Sequence, residues 1–336
     1  MESERLPYVT AMIVVRNEAR YIQKCFYSLL SQTYPASRYE ILILDGLSDD
    51  DTLELAKETE SEYRTEHADC PAVRYFTNQK KILAAGWNQG IRAARGEYVV
   101  RIDAHGYADS DFIEKSVETI LRVSDAACVG GAMRTEALSS KGELISKVLS
   151  SPFGVGNSKF RYSQKEEYVD TVAFGLYRKS IFEQAGYFDE TMKRNQDNDM
   201  HRRIREAGGR FYLNPQIKTA YYSRDSVKGM LKQGYQNGKW NIIAFRKSAA
   251  SLSMRHLVPL LFLCALILGA GLGFLHPVFW YLTAAAVVLH LILGVFFAAR
   301  TTQKFTHFLA FPWLCLALHL CYGTGSLLEI FHIKRK

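Results

Sequence analysis

Four groups of polar residues stand where apolar runs of this chain give way to loops, and each has a chemistry available to it. Asp103-Ala104-His105 closes the apolar run 98–102. On an extended chain, residues i and i+2 face the same side, so Asp103 and His105 could both reach one divalent ion. Carboxylate and imidazole together suit Mn2+, and Mg2+ accepts the imidazole less readily. A diphosphate would complete the coordination shell, and the ion would offset charge on it as a leaving group. Asp45 ends the run 41–44 and could accept a hydrogen bond from a base N–H or bind a ribose hydroxyl; Asn17-Glu18 stands in the same kind of place after the first apolar run. Each is also what a solvated turn or a helix cap looks like. Further on, residues 195–203 read NQDNDMHRR, in which Asp197 and Asp199 are candidates for the base that a hydroxyl nucleophile needs. Acidic residues in the first turn of a helix are also ordinary dipole compensation. Last, Gln236, Lys239 and Trp240 lie within five residues; an indole stacks on a sugar ring and an ammonium holds phosphate, or the two anchor a membrane interface.

These groups need a frame that brings them together. Strands are expected at 8–15, 41–44, 73–76, 98–102, 128–134 and 169–177, with helices at 18–32, 52–62, 82–94, 111–123, 179–185 and 197–207, and short strands at 211–213 and 218–222. Ser48 reads as the cap of the second helix. Alternating strands and helices with short connections imply an α/β domain with a mostly parallel, Rossmann-like sheet covered by helices. Such sheets bind ligands at the carboxyl ends of their strands, where Asp45 and Asp103 both fall.

The 336 residues divide by composition into three expected regions: 1–225 as the catalytic domain, 226–256 as a basic amphipathic helix region, and 257–336 as a membrane domain. The net charge of +8 is concentrated before the apolar region, at Arg224, Lys228, Lys232, Lys239, Arg246, Lys247 and Arg255 against Asp225. That position favours the surface of a cytoplasmic membrane leaflet over nucleic acid, for which no motif is present. Apolar residues recur at Val227, Leu231, Tyr235, Ile242 and Phe245, as on a helix lying in an interface. Three apolar segments, 257–275, 278–299 and 308–331, are each long enough to cross a hydrocarbon core. Three crossings would, however, strand Lys334, Arg335 and Lys336 on the outer face, and the third segment carries Pro312, His319, Gly323, Gly325 and Glu329. Six scattered cysteines without a CxxC pair, and a polar start at residues 1–7, point to a reducing compartment and a cytosolic catalytic domain at the plasma or inner membrane.

Taken in order, the motifs resemble the family 2 glycosyltransferases of the GT-A fold. The likeness lies in the opening strand with Asn17-Glu18, in the block Asp45-Gly46-Leu47-Ser48-Asp49-Asp50-Asp51-Thr52, in Asn88-Gln89-Gly90-Ile91, and in Asp103-Ala104-His105 where the family keeps a D-x-D metal motif. A histidine in third position is a variant of bacterial exopolysaccharide transferases of the succinoglycan type. Gln196-Asp197 matches the family's E-D pair, Arg203 the arginine that follows on the same helix, and Gln236 to Trp240 its Q-x-x-R-W motif with Lys239 for arginine. The resemblance implies an inverting transfer of a hexose from a UDP-sugar to a lipid-linked or polysaccharide acceptor. It assigns Asp197 as base, Asn17, Glu18, Asp45 and Asp103 to the donor, and Asp103 and His105 to Mn2+ or Mg2+. Arg203, Gln236, Lys239 and Trp240 go to the acceptor and diphosphate. The alternatives are a processive polysaccharide synthase, a membrane nucleotidyltransferase and a non-catalytic scaffold. All of this requires Asp45, Asp103 and Asp197 to converge.

Overall fold

Every residue of the runs 9–15 and 39–45 is buried, as expected of parallel strands with helices on both faces. A computed structural model describes residues 6–137, 139–155, 159–192, 194–222, 226–248 and 254–332, without the side chains of Met254 and Arg255. Arg224, Asp225 and Lys334–Lys336 lie outside the described residues. In chain order the elements are β1 (Val9–Val15), α1 (Ile22–Leu30), β2 (Tyr39–Asp45), α2 (Thr52–Glu66), β3 (Ala72–Thr77), α3 (Leu83–Ala93), β4 (Tyr98–Asp103), β5 (Gly106–Ala108), α4 (Phe112–Arg122) and β6 (Ala126–Glu136). Then come α5 (Ser140–Ser150), α6 (Pro152–Val155), β7 (Glu167–Val169), β8 (Leu176–Arg178), α7 (Ile181–Ala185), α8 (Gln196–Glu206) and β9 (Arg210–Tyr222). The chain finishes with α9 (Val227–Lys247), α10 (Met254–Gly273), α11 (Val278–Thr301) and α12 (Phe305–Phe331).

These elements form two compact units, 1–134 with 159–222, and 135–158 with 223–336. In the first, the sheet runs β3-β2-β1-β4-β8-β6-β9-β5, with β7 paired to β9. The stretch β3-β2-β1-β4 is parallel, and β8 turns antiparallel against β4. In register, Val15 pairs Asp45 and Val14 pairs Asp103, so both carboxylates end strands that flank β1. Two strand spacings put them about 10 Å apart on one edge. Helix α3 lies close on this sheet: a Cβ on Gly90 would come within 2.6 Å of Met12 Sδ. The expected strand 169–177 is instead two short strands broken at 170–175, where Phe174 takes a left-handed φ of 47° and packs its ring on Gly106. The two short strands expected after residue 210 are one, β9.

The second unit takes in α5 and α6, for which the sequence offered no element and which fall inside the expected catalytic region. Ile145 and Val148 of α5 share a buried cluster with Met230, Ala298, Phe311, Cys315 and Leu318, which explains the grouping. Helices α10, α11 and α12 are long and apolar enough to cross a membrane. Helix α9 packs against α12. Its packed face is built on glycine: Gly234 meets Leu318 and Gly238 meets the backbone of Tyr322, while Gly325 of α12 meets the backbone of Tyr235. Val227 and Phe245 of the expected apolar stripe are exposed. Small residues let two helix backbones approach where larger ones would hold them apart.

Gly238→Ala should therefore cost about 1–3 kcal/mol, because its methyl would lie 2.0 Å from the Tyr322 carbonyl oxygen. Gly271→Ala, where nothing lies within 4 Å, should leave stability unchanged or slightly raised. Thermal unfolding of the detergent-solubilised proteins checks both; equal melting of Gly238→Ala and the parent would contradict the packing.

Candidate active site

At the carboxyl ends of β1 and β2, two loops hold each other. Asn17 N–H donates to Ser48 Oγ at 3.0 Å, and Asp49 N–H donates back to Asn17 Oδ1 at 3.0 Å. Glu18 N–H donates to Thr52 Oγ1 at 2.8 Å, and Ala19 N–H to Asp50 Oδ2 at 3.2 Å. Asp45, almost buried, accepts from the Ser48 hydroxyl at 2.6 Å and from its N–H, which fixes the carboxylate. Ser48 is thus a brace between loops and not the cap expected of α2, whose N-cap is Asp51. Asn17 and Leu47 take left-handed φ angles of 56° and 55° here, and Asn195, immediately before α8, does so at 56°. Non-glycine residues in this region concentrate where function overrides backbone preference.

Asp103 is the last residue of β4, and Ala104 and His105 form a turn into β5. The extended geometry assumed for this triplet does not hold; His105 comes back by the turn. Its Nδ1 lies 3.5 Å from Glu18 Oε1, and its ring meets Tyr221 edge-on at 4.7 Å. Asp103 Oδ1 is buried and has no hydrogen-bond partner. Burial pushes this carboxyl above its ordinary range; Arg101 and His105 oppose the shift, while Asp197 and Glu18 add to it.

Arg101, which sequence reasoning passed over, is the centre of the arrangement. It sits two residues before Asp103 on β4, with its side chain 7% exposed, and donates through Nη1 to Asp197 Oδ1. Its guanidinium lies 5.2 Å from the Trp87 ring centre and 5.7 Å from that of Phe188. Asn88 sets the latter ring, accepting from Phe188 N–H at 2.8 Å and donating to the Phe188 carbonyl at 2.9 Å. The only sequence signal for Arg101 was a lone charge inside a strand that is otherwise apolar and buried.

Asp197 opens α8 with its side chain 39% exposed, so one oxygen is tied and the group is still reachable. Burial pushes its pKa up, but the Arg101 charge and hydrogen bond prevail and hold it below the usual carboxylate range. His201 is bonded through Nδ1 to Thr171 Oγ1 and through Nε2 to Tyr177 Oη, both at 2.7 Å. Burial brings its pKa down to about 3, so it is neutral. The rival base, Asp199, is buried and spent on Arg202 and Arg203, each at 2.9 Å. Arg203 is likewise engaged, with Asp199 and with the Ala185 carbonyl at 2.7 Å.

Asp103 and Asp197 therefore face a shared arginine, while Asp45 stands on the same strand-end edge with its own loop. The three do not ring a single ion: among the described residues no group of three His, Cys, Asp or Glu side chains could hold one. Gln236, Lys239 and Trp240 lie on α9 in the second unit, where Lys239 Nζ is 3.6 Å from Glu329 and Arg246 pairs with the same carboxylate at 2.8 Å.

The model of the family described as "Glycosyl transferase family 2" matches residues 10–186, from β1 through the Asp103 turn to the end of α7. This chain is a family 2 glycosyltransferase. It is 32% identical over 245 residues to the dolichyl N-acetyl-alpha-D-glucosaminyl phosphate 3-beta-D-2,3-diacetamido-2,3-dideoxy-beta-D-glucuronosyltransferase of Methanococcus voltae, covering 71% of this chain and 74% of that one. Against the succinoglycan biosynthesis protein ExoA of Rhizobium meliloti it is 28% identical over 264 residues, 77% of each. Among solved structures, the mannosyltransferase PcManGT of Pyrobaculum calidifontis, in complex with GDP-Man and Mn2+, superposes with a TM-score of 0.56 at 16% identity, covering 98% of this chain and 86% of that one. S. aureus TarS 1-349 does so at 0.51, covering 98% and 92%. The last two share the fold, a GT-A domain, and the family membership sets aside nucleotidyl transfer.

As a family 2 enzyme, this chain should show Arg101 in its pH profile. Arg101→Met leaves burial unopposed at Asp197, so the acidic limb of kcat/KM should move up by about 1–3 pH units. An unmoved limb would contradict the electrostatic role assigned to the pair.

Proposed function

We propose that this enzyme transfers a hexose, with inversion, from a UDP-sugar to a lipid-linked acceptor at the cytosolic face of the plasma or inner membrane, in cell-surface polysaccharide or glycan synthesis. One observation carries the chemistry: a carboxylate held ionised and in place by a buried arginine, next to a second carboxylate with an unpartnered buried oxygen. Asp197 accepts the proton of the acceptor hydroxyl as that oxygen attacks the anomeric carbon. Its Oδ1 is anchored by Arg101, which leaves Oδ2 to meet the hydroxyl. Asn17, Glu18 and Asp45 line the nucleotide side, and the Asp45 carboxylate, fixed by Ser48, accepts from the uracil N–H.

A divalent cation fits the Asp103 end. The orphaned Oδ1 and the raised pKa describe a carboxylate short of positive charge, and His105 stands at the following turn. Two protein ligands with substrate phosphate oxygens and water make an ordinary shell for Mg2+ or Mn2+. When bound, the cation supplies positive charge to the diphosphate leaving group. The Mn2+ in the archaeal mannosyltransferase of the same fold supports this reading. Arg203, Gln236, Lys239 and Trp240 are proposed for the acceptor and diphosphate, with Arg203 acting by orienting α8 through Asp199. The dolichyl-linked substrate in the name of the Methanococcus relative and the exopolysaccharide role of ExoA support a lipid-linked acceptor.

Asp197→Asn should lower kcat by about 10²–10⁴-fold while UDP affinity, measured by calorimetry, stays within a few-fold. Retained turnover would remove Asp197 as the base. Mn2+ affinity in the presence of UDP should fall on acidification while the pH is still above the ordinary carboxylate range, because burial makes Asp103 take up its proton early. In Asp103→Asn the binding should be weak throughout, and a flat response in the parent enzyme would count against Asp103 as a ligand.

A further inference from the structure

We propose that only α10 and α11 cross the bilayer, and that α12 lies in the membrane surface on the side from which α10 enters. The inference concerns the second unit alone and rests on reading its apolar helices as membrane-embedded.

The contacts of α12 carry it. A third span would run beside α11 along its whole length, with its last turns next to the first turns of α11. Instead, His319 meets His290 and Pro312 packs on Gly294, so α12 advances seven residues while α11 runs back only four. That is a steep crossing and not a parallel alignment, at about 10 Å of travel against about 6 Å. Further along, Gly323 packs on Pro259 and Leu263, in the opening turns of α10. The α10–α11 turn takes no part in these contacts. Phe274, Leu275 and Tyr281 there are 83%, 81% and 74% exposed, the bare apolar tip of a hairpin.

The other side of α12 is covered by α9 and α5. From Leu318 to Glu329 it runs alongside α9 in the same direction: Gly234 meets Leu318, Gly238 meets Tyr322, and Arg246 meets Glu329. At its start, His307 Nε2 lies 3.3 Å from Ser140 Oγ of α5, and Lys304 pairs with Glu143. Were α12 a span, α9 would carry Lys239, Arg246 and Lys247 into hydrocarbon with it, which is strongly disfavoured. Phe305, Leu309 and Trp313 form an exposed stripe at i, i+4 and i+8, suited to the acyl–headgroup boundary.

Charge agrees. No Lys, Arg, Asp or Glu occurs from residue 256 to 299. With two crossings, Arg255, Arg300, Lys304 and Lys334–Lys336 all fall on one face, joining the basic residues of α9, and the hairpin tip His276-Pro277 alone is outside. The conflict with the positive-inside rule that three crossings create then disappears.

The test is made on the full chain expressed in a bacterial inner membrane, with alkaline phosphatase or green fluorescent protein fused after Lys336 or inserted between His276 and Pro277. We expect fluorescence and no phosphatase activity at Lys336, and phosphatase activity at the tip. Phosphatase activity at Lys336, or its absence at the tip, would overturn the two-crossing topology. Carbonate extraction tells this failure from that of the membrane reading itself: release of the unfused chain into the soluble fraction would sink the latter.

Discussion

The pairing of Arg101 with Asp197 is the contact on which the catalytic unit depends. A guanidinium with 7% of its side chain exposed has no water to fall back on. It is stabilised by a carboxylate on one side and by the faces of Trp87 and Phe188 on the other. This arrangement joins three parts of the chain that are far apart in sequence: β4, the start of α8, and the segment around Phe188 that Asn88 clamps. It also settles the electrostatics. Burial raises both carboxyls; at Asp197 the charge and hydrogen bond of Arg101 prevail, whereas at Asp103 burial, joined by the charges of Asp197 and Glu18, prevails over Arg101 and His105. Position alone thus gives two identical side chains opposite pKa shifts, which is what the proposed base and cation ligand each require.

Much of this was legible before any coordinates. The alternation of apolar runs and amphipathic segments defined the parallel strands β1, β2 and β4, because strands buried on both faces leave an unmistakable signal. Asp45 and Asp103 could be placed at strand ends for the same reason, and Asp197 over Asp199 followed from the family pattern. In the structure Asp199 is consumed in two ion pairs. What stayed hidden is what depends on tertiary partners. Arg101 gave no pattern, since a single charge in a buried strand acquires meaning only from the carboxylate facing it. Helices α5 and α6 were missed because their apolar residues answer a cluster made by α9, α11 and α12. The glycines of α9 gave no signal in the sequence, and they form its contact face with α12.

The segment 170–175 shows a related limit. Its β-branched and aromatic residues read as a strand, yet the ladder is interrupted. Thr171 reaches His201, the Asp170 carbonyl accepts from Arg205, and Phe174 turns left-handed to cover Gly106. The bonds a strand would have made are replaced by side-chain bonds to α8, the helix that carries Asp197. A neutral His201 held between two hydroxyls is suited to this, because an imidazole with one donor and one acceptor nitrogen satisfies both without charge.

The mutual bracing of the β1–α1 and β2–α2 loops separates two jobs within one strand-end edge. Asn17, Ser48, Asp49 and Thr52 bond chiefly to one another, whereas Arg101 and Asp197 answer to Trp87, Phe188 and His201. In the roles proposed above, recognition of a nucleobase and activation of a hydroxyl are thus mounted on independent supports. A lineage built on this scaffold can exchange one activated sugar nucleotide for another by redrawing the first pair of loops, and keep its proton-transfer apparatus untouched.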